Sequence, residues 1–254
     1  MKFYYCIFIL LSLNIYGASN KGEEIAQAMD KAHRGFQGSE SEMELVLISQ
    51  DGTKLSRKMK GLSIEGDKTD KSLLTFTFPP DVNGIKMLTW GHRSKEDDQW
   101  LFLPAIKRVK KISSKTKGSS FMGSEFSYED LGSQAIEKYT YQLVKEDQLD
   151  GKKVWVLERV PKTKSSYSKT HLYVDQKNYI VLKTEYYNKR NELYKISYAS
   201  DIKEYRVAGK VMYRVGRLKM ENIKNKKSSL FIWSKRKLGV NISERKFHKN
   251  ALKR

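Results

Sequence analysis

The chain has 254 residues, and its 49 lysines and arginines outnumber its 29 aspartates and glutamates, so the formal charge is +20. Hydrophobic residues make up 39% and aromatic residues 11%, which excludes both a polytopic membrane protein and a generally disordered chain. The single cysteine excludes a disulfide framework and a cysteine-based zinc site within the chain. The composition therefore indicates an ordinary-sized, strongly basic domain.

Residues 1–19 are typical of a secretory signal peptide. Lys2 precedes an apolar run, and the small residues Gly17 and Ser19 favour cleavage after Ser19. The run is shorter than the roughly 20 apolar residues of a membrane-spanning helix, and a retained, uncleaved anchor is the alternative. Because the only cysteine, Cys6, lies in this leader, the mature protein would have none. We therefore expect it in the periplasm of a Gram-negative-type envelope.

One helix is predicted near the start of the mature chain, over Lys21 to Phe36. Ile25, Met29 and Phe36 recur at helical spacing and share one apolar face, with Asn20 as the expected N-cap and Gly35 or Gly38 as the expected end. These three apolar residues are the candidate residues of a lid helix over a cavity. The alternative is a plain amphipathic helix that closes the core.

Nearly everything downstream has a period of two, which is typical of strands. The first two strands flank an Asp51-Gly52 turn, and Asp150-Gly151 and Lys189-Arg190-Asn191 are further predicted turns. The later strands are predicted over Leu73–Phe78, Ile85–Trp90, Gln99–Leu103, Arg108–Ile112, Tyr139–Glu146, Lys153–Arg159, Thr170–Val174, Ile180–Tyr187, Leu193–Tyr198, Val211–Met220 and Ser229–Ser234. About a dozen strands without long helices between them favour a mainly β fold, a single curved, half-closed antiparallel sheet in one domain over residues 20–254.

The segment from Gln99 to Leu131 is unusual. A strand that ends at Pro104 and a basic strand lead into a glycine- and serine-rich loop. Four large side chains then follow with neither helical nor strand period: Phe121, Met122, Phe126 and Tyr128. Because such side chains need an apolar partner, we expect them either to line the concave side of the sheet or simply to fill its core.

The order and spacing of residues in this segment resemble those of the LolA-like outer-membrane lipoprotein-sorting proteins, in the branch typified by an uncharacterised treponemal protein. The resemblance rests on WLFLP at Trp100–Pro104, KRVKKI at Lys107–Ile112 and FMGSEFSYED at Phe121–Asp130. Later strands around Trp155 and Tyr173 also fit the family. The resemblance covers essentially the whole mature chain.

The resemblance implies an incomplete antiparallel β-barrel of about eleven strands, with helices over its concave side and an apolar cavity between them. The carriers that give the family its name use this cavity for the acyl chains of lipoproteins crossing the periplasm. A lipoprotein or lipid ligand and an inner-membrane exporter of the RND or ABC type are the partners that it implies. We expect a monomer without cofactor or metal.

A protein that carries lipid through water must enclose the acyl chain. Exposing an acyl chain of about fifteen methylenes costs about 12 kcal/mol, at about 0.8 kcal/mol for each methylene. The resemblance therefore implies a carrier that encloses acyl chains or another lipidic ligand and passes it towards the outer membrane. The candidate cavity residues are aromatic or apolar: Trp90, Trp100, Phe102, Phe121, Met122, Phe126 and Tyr128.

Positive charge is concentrated in two regions. Residues 210–254 include fifteen basic and two acidic residues. Residues 107–117 include six basic residues and no acidic one. The candidate contacts to an anionic membrane surface are Lys107, Arg108, Lys110, Lys235, Arg236 and Lys237. Nucleic acid is excluded as a partner by the leader and by the lack of a nucleic-acid motif. Solvated surface charge is the alternative.

No pattern points to catalysis. The four histidines lie far apart, without the paired spacing of metal ligands: His33, His92, His171 and His248. Glu129 and Asp130 are expected to cap a turn or to pair with Lys110 or Lys115. Two alternatives to a lipid carrier stay open: a non-enzymatic accessory protein that docks on an RND-type exporter, and an envelope protein that binds polyanions or anionic lipid.

Overall fold

The computed structural model describes residues 20–253, so the predicted signal peptide and its cleavage site lie outside the described residues. One α-helix precedes thirteen strands in this part of the chain: α1 (Lys21–His33), β1 (Gly38–Ile48), β2 (Lys54–Ile64), β3 (Thr69–Phe78), β4 (Lys86–His92), β5 (Asp98–Leu103), β6 (Arg108–Ile112), β7 (Tyr139–Leu149), β8 (Lys152–Pro161), β9 (Lys169–Asp175), β10 (Val181–Tyr187), β11 (Leu193–Val207), β12 (Lys210–Asn222) and β13 (Ser228–Leu238). Within residues 20–253, no helix is both long and apolar enough to cross a membrane.

All thirteen strands form one antiparallel sheet, in the order β6-β5-β4-β3-β2-β1-β13-β12-β11-β10-β9-β8-β7. Strands that follow each other in sequence pair with each other, except β6 and β7, which form the two edges of the sheet. The first and last strands, β1 and β13, also pair. Residues 113–138 connect these edges. The sheet is thus an up-and-down barrel left open along one seam, which confirms the predicted incomplete barrel, with thirteen strands rather than about eleven.

The helix begins as predicted, but it ends early. Asn20 Oδ1 accepts a hydrogen bond from Gly22 N at 3.1 Å and caps the first turn. The predicted end at Phe36 is wrong, because the helix stops at His33 and Gly35 follows with a φ of +93°. Phe36 therefore lies beyond the helix. Over the rest of the sheet, the irregular segment 113–138 takes the place of the further helices that the resemblance implied.

The predicted turns are confirmed, and several strands, β11 most of all, are longer than predicted. Gly52 and Gly151 have φ values of +85° and +77°, as tight hairpins require. The strand predicted to end at Tyr198 continues to Val207 as β11. Asp201 has a φ of +54° there and lies beside Gly216, where a Cβ would lie 2.5 Å from the Asp201 carbonyl oxygen. The pairing with β12 keeps its register on both sides, with Ser200 opposite Arg217 and Ile202 opposite Val215.

The sheet has an inner face, which we define as the face covered by α1 and residues 113–138. Its largest apolar cluster includes Leu45, Phe76 and Phe231, which are fully buried. The outer face carries a second cluster under β2 to β6, closed by the C-terminal residues 242–253 through Phe247 and Leu252. Successive side chains along one strand therefore pack in different cores, one on each face of the sheet.

Candidate functional site

A cavity of about 590 Å³ opens on the inner face, between α1 and strands β7 to β13. The volume falls within the roughly 300 to 1,000 Å³ of small-molecule sites. Apolar and aromatic side chains from the helix and four strands form much of its wall: Met29, Leu172, Tyr186, Leu218 and Trp233. Of the three candidate lid residues, Met29 borders this cavity.

The N-terminal end of α1 is fixed to the free edge of β7. Asn20 Nδ2 donates to the Tyr141 carbonyl oxygen at 2.7 Å, and Glu23 Oε1 accepts from Tyr141 N at 2.9 Å. Ile25 and its neighbour Ala26 are buried in a cluster with Tyr141 and Leu157. The first half of the helix therefore closes a core, as the alternative to a lid describes.

The C-terminal end of α1 is held by polar contacts. Arg93 Nη2 lies 2.9 Å from Asp30 Oδ2, and Arg214 Nη2 donates to the His33 carbonyl oxygen at 2.8 Å. His33 Nε2 lies 2.9 Å from the Tyr179 carbonyl oxygen. Burial lowers the pKa of His33, and although the hydrogen bond to Tyr179 opposes this shift, the charge of Arg214 adds to it. The polar groups that hold this end of the helix can form hydrogen bonds with water instead when the end is displaced.

A buried arginine lies in the wall of the cavity. Arg159 is 8% exposed, and its guanidinium donates to Thr170 Oγ1 at 3.0 Å and to Gln134 Oε1 at 2.9 Å. It also lies over the Tyr139 ring, 4.3 Å from the ring centroid. Within residues 20–253 no carboxylate forms an ion pair with it. The apolar cavity therefore contains a fixed positive charge.

The segment Phe121–Leu131, here called the plug segment, fills the other part of the inner face. Phe121 and Phe126 are fully buried, with their ring centroids 5.8 Å and 4.7 Å from those of Phe76 and Phe231 respectively. Met122 and Tyr128 pack against the same cluster, half-buried. None of these four candidate ligand-site residues borders the cavity. They pack in the core, which was the alternative to lining a site.

A buried ion pair anchors the plug segment to β11. Lys195 Nζ lies 3.0 Å from Asp130 Oδ2, and both side chains are 4% exposed. Tyr167 donates to Asp130 Oδ1 at 2.8 Å. The predicted pairing of this carboxylate with Lys110 or Lys115 was wrong, because the segment folds inward onto β11 rather than back towards β6.

The turn-capping role predicted for the two carboxylates is confirmed for Asp130. Asp130 Oδ2 accepts from Ser127 N at 2.7 Å, and Glu129 Oε2 accepts from Ser166 N at 2.8 Å. The first bond closes a turn within the plug segment, and the second ties the segment to the loop before β9. Both groups are thus used to position backbone.

The three remaining candidate ligand-site residues lie on the outer face. Trp90 and Trp100 contact each other with ring centroids 5.0 Å apart, and Trp90 Nε1 donates to the Phe247 carbonyl oxygen at 2.8 Å. Phe102 packs in the same cluster under the C-terminal segment. Their placement at the cavity is thereby corrected, because alternation along β5 turns Leu101 inward and its neighbours outward.

The basic run at the end of β13 does not form one patch. Lys235 Nζ lies 3.0 Å from Glu42 Oε2, and Lys237 Nζ lies 3.1 Å from Glu40 Oε1, both across the β1–β13 pair. Arg236 points to the inner face and borders the cavity. Lys235 and Lys237 are thus exposed but paired, and Arg236 lies away from them, while a contact of this run with an anionic surface stays a prediction.

The other predicted basic patch gains two residues. Lys107, Arg108 and Lys110 are exposed and share a cleft of about 720 Å³ with Lys249 and Lys253 from the C-terminal segment. No acidic side chain borders this cleft within the described chain. We call these five residues the basic cleft. The same chain segment that covers the outer aromatic cluster thus completes a cationic surface.

The histidines lie in separate places. His92 Nε2 is 3.1 Å from Asp98 Oδ2, and His171 Nε2 is 3.2 Å from Glu158 Oε2. In the part of the chain that the structure describes, no three histidine, cysteine, aspartate or glutamate side chains are grouped as a metal site needs. His171 also lies 3.6 Å from Glu185 Oε2 through Nδ1, so its two carboxylate neighbours lie on opposite sides of the ring.

Comparisons with known proteins give a consistent result. A family model described as an uncharacterized protein matches residues 68–254. A candidate outer membrane lipoprotein-sorting protein domain from Vibrio parahaemolyticus is 38% identical, with a TM-score of 0.88, over 92% of this chain and 99% of that one. A DUF1329 family protein from Desulfovibrio piger is 31% identical, with a TM-score of 0.84, over 90% of this chain and 96% of that one.

A more distant structure shares the fold. The LolA superfamily protein from Nitrosomonas europaea is 21% identical, with a TM-score of 0.72, over 91% of this chain and 98% of that one. No curated protein matches the sequence. The similarity thus extends over almost the full length of each of these three solved chains.

Proposed function

Because the chain belongs to the LolA-like outer-membrane lipoprotein-sorting proteins, we propose that it is a periplasmic binding protein that carries acyl chains or another lipidic ligand. The cavity under α1 is the observation that carries this proposal. The protein acts by binding alone, without a catalytic step. It passes its ligand towards the outer membrane.

The wall of the cavity suits a hydrocarbon tail. Leu172, Leu218 and Trp233 supply apolar surface, and Met29 adds an unbranched thioether side chain that repacks easily around ligands of different shape. Each methylene transferred from water into such a site contributes about 0.8 kcal/mol. A tail that inserts by only half its length therefore gains several kilocalories per mole.

The two ends of α1 suggest how the ligand enters. The N-terminal end is packed on β7 through Ile25 and Ala26, whereas the C-terminal end is held by the contacts of Asp30 and His33. Displacing the C-terminal end exchanges polar contacts for water and exposes the cavity, while the N-terminal end stays docked. The ligand then partitions between donor, cavity and acceptor according to its relative affinities.

Extraction of the purified full chain tests this function. We expect mass spectrometry of a solvent extract to show acyl-containing molecules bound in a stoichiometric amount. We also expect the delipidated protein to bind palmitate again, with a change in tryptophan fluorescence because Trp233 borders the cavity. A protein that is always recovered empty and binds no amphiphile would contradict the carrier function.

The basic cleft favours a second function, docking on an anionic membrane surface. Each of its five cations contributes about 1 kcal/mol near such a surface. We expect the protein to bind vesicles of phosphatidylglycerol, and binding to weaken in a Lys107→Gln/Lys110→Gln variant and at high salt. The matched control is Lys235→Gln/Lys237→Gln, because these lysines are already paired with glutamates. Equal losses in both variants would contradict a role for the cleft.

A further inference from the structure

Two neighbouring arginines border the cavity without an acidic partner. Arg214 on β12 and Arg236 on β13 line both the cavity and an adjoining groove on the inner face. Arg34 and Arg93, at the same end of α1, each contact two carboxylates within 3.3 Å. Within residues 20–253 neither Arg214 nor Arg236 forms an ion pair. The three carboxylates that border the cavity contact other groups instead, Asp30 with Arg93, Glu129 with Ser166 and Asp130 with Lys195.

The contacts of the pair orient the guanidinium groups without neutralising them. Arg214 donates to the carbonyl oxygens of His33 and Tyr213, at 2.8 and 2.9 Å. Arg236 donates to the Val215 carbonyl oxygen at 2.8 Å and lies over Trp233, 5.1 Å from its ring centroid. A guanidinium has five N–H donors, so each side chain keeps donors for a ligand.

The two charges are unfavourable together. Burial, with the nearby charge of Arg236, lowers the pKa of Arg214 to about 10. Burial also lowers the pKa of Arg236. Glu65 acts on Arg214 only from a distance, since its carboxylate contacts Arg34 and the backbone N–H of Gly35. An anion between the two arginines would relieve their repulsion and replace the lost hydration.

We propose that the ligand is an anionic amphiphile, whose phosphate or carboxylate group is bound by Arg214 and Arg236 while its tail occupies the cavity. The tail part of this inference rests on the proposed lipid-binding function. Phosphate and carboxylate oxygens match the planar, forked donors of arginine, so a single anionic group can engage both side chains. The headgroup then lies beside the C-terminal end of α1, where Arg214 contacts His33.

Paired lipid probes test the assignment on the full chain. Palmitate and palmitoyl lysophosphatidic acid are compared with the neutral monopalmitoylglycerol by calorimetry, with inorganic phosphate as the tail-free probe. We expect both anionic lipids to bind at least about tenfold more tightly than the neutral one. An Arg214→Gln/Arg236→Gln variant should lose this preference and keep its affinity for the neutral lipid. The matched control is Arg217→Gln, which removes an exposed charge from the same strand.

The outcomes separate the two proposals. Equal affinity of the wild type for neutral and anionic lipids would overturn the arginine site and leave the carrier function standing. No binding of any amphiphile would overturn the carrier function itself. If inorganic phosphate binds as tightly as lysophosphatidic acid, the proposal of an amphiphilic ligand is overturned and the arginines form a site for a free anion. Because a double variant can fail to fold, Arg236→Lys is a second test, and we expect it to reduce the anionic preference only in part.

Discussion

The inner face of the sheet is mostly filled by the plug segment in one half and open under α1 in the other. Over β1 to β5, the plug segment places Phe121 and Phe126 in a buried apolar core that also includes Phe231 of β13. Over β7 to β13, α1 covers a cavity of about 590 Å³ that contains the buried Arg159. Both halves belong to one continuous sheet.

The difference shows how one architecture can support both a core and a binding site. In the filled half, the chain supplies from its own loop the apolar surface that a ligand supplies in the open half. Filling gives dispersion contacts and excludes water, whereas an open cavity forgoes those contacts. Stability should therefore depend most on the plug segment, and ligand affinity most on the residues under α1.

The largest expected effect is in the anchor of the filled half. Replacing Lys195 by Met leaves the buried Asp130 carboxyl without its cationic partner, so the free energy of unfolding should fall by about 3 to 5 kcal/mol. Urea denaturation followed by circular dichroism measures it. Lys235→Met is the control, because its ion pair with Glu42 is exposed and should contribute little. Similar losses in the two variants would contradict the anchoring role.

A slightly smaller effect is expected for the apolar part of the plug. Phe121→Ala should lower the free energy of unfolding by about 3 to 4 kcal/mol, because neighbouring apolar side chains can relax into part of the space. Its affinity for palmitate, measured by calorimetry under conditions where it stays folded, should not change. A loss of affinity as large as the loss of stability would show that the two halves are not separable.

The converse change concerns the open half. Leu218→Trp adds an indole to the wall of the cavity and should weaken palmitate binding about tenfold, the equivalent of about two buried methylenes. Unfolding stability should change little, because the added volume enters open space. Val211→Trp, on the exposed end of the same strand, should leave the affinity unchanged. Unchanged binding in Leu218→Trp would place the tail elsewhere.

The smallest effect is a pH dependence confined to the cover of the open half. The pKa of His33 is lowered in the folded protein, so the unfolded chain binds this proton more tightly. The stability that neutral His33 contributes is complete above pH 6.5 and is lost as the pH falls below that value. Amide exchange at the C-terminal end of α1, corrected for intrinsic rates, should therefore be faster at acidic pH.

Two comparisons check that assignment. His33→Gln should remove the pH dependence of exchange in α1, and the amides of the plug segment should show none in either protein. A uniform acceleration over both regions would indicate global acid destabilisation rather than release of one helix end.

Much of the fold follows from the sequence, because alternation and turn chemistry are local. The Asp51-Gly52 and Asp150-Gly151 turns and the basic strand at Arg108–Ile112 lie where they were predicted. The extension of β11 was missed because its polar sequence, SDIKE over residues 200–204, shows no clear apolar alternation. Gly35 is a residue type that commonly ends helices, and the helix does end just before it. The apolar spacing to Phe36 nevertheless favoured a longer helix.

The site was less predictable, because alternation shows that two faces exist without showing which is inner. Trp100 and Phe102 were therefore assigned to the cavity although they face the C-terminal segment. The cavity wall comes from eight helices and strands that are distant in sequence. Arg214 and Arg236 looked like two members of a basic tail, and only the pairing of β12 with β13 brings them together.

The ladder between β1 and β13 runs from Ser39 opposite Leu238 to Ile48 opposite Ser228, so the described chain joins its first and last strands and has its gap at mid-sequence. A backbone cut in the exposed loop 113–118 would consequently give two fragments that each retain one edge of the gap and share this ladder. Separately produced fragments should reassemble, which would make the molecule a natural starting point for a split reporter of lipid occupancy.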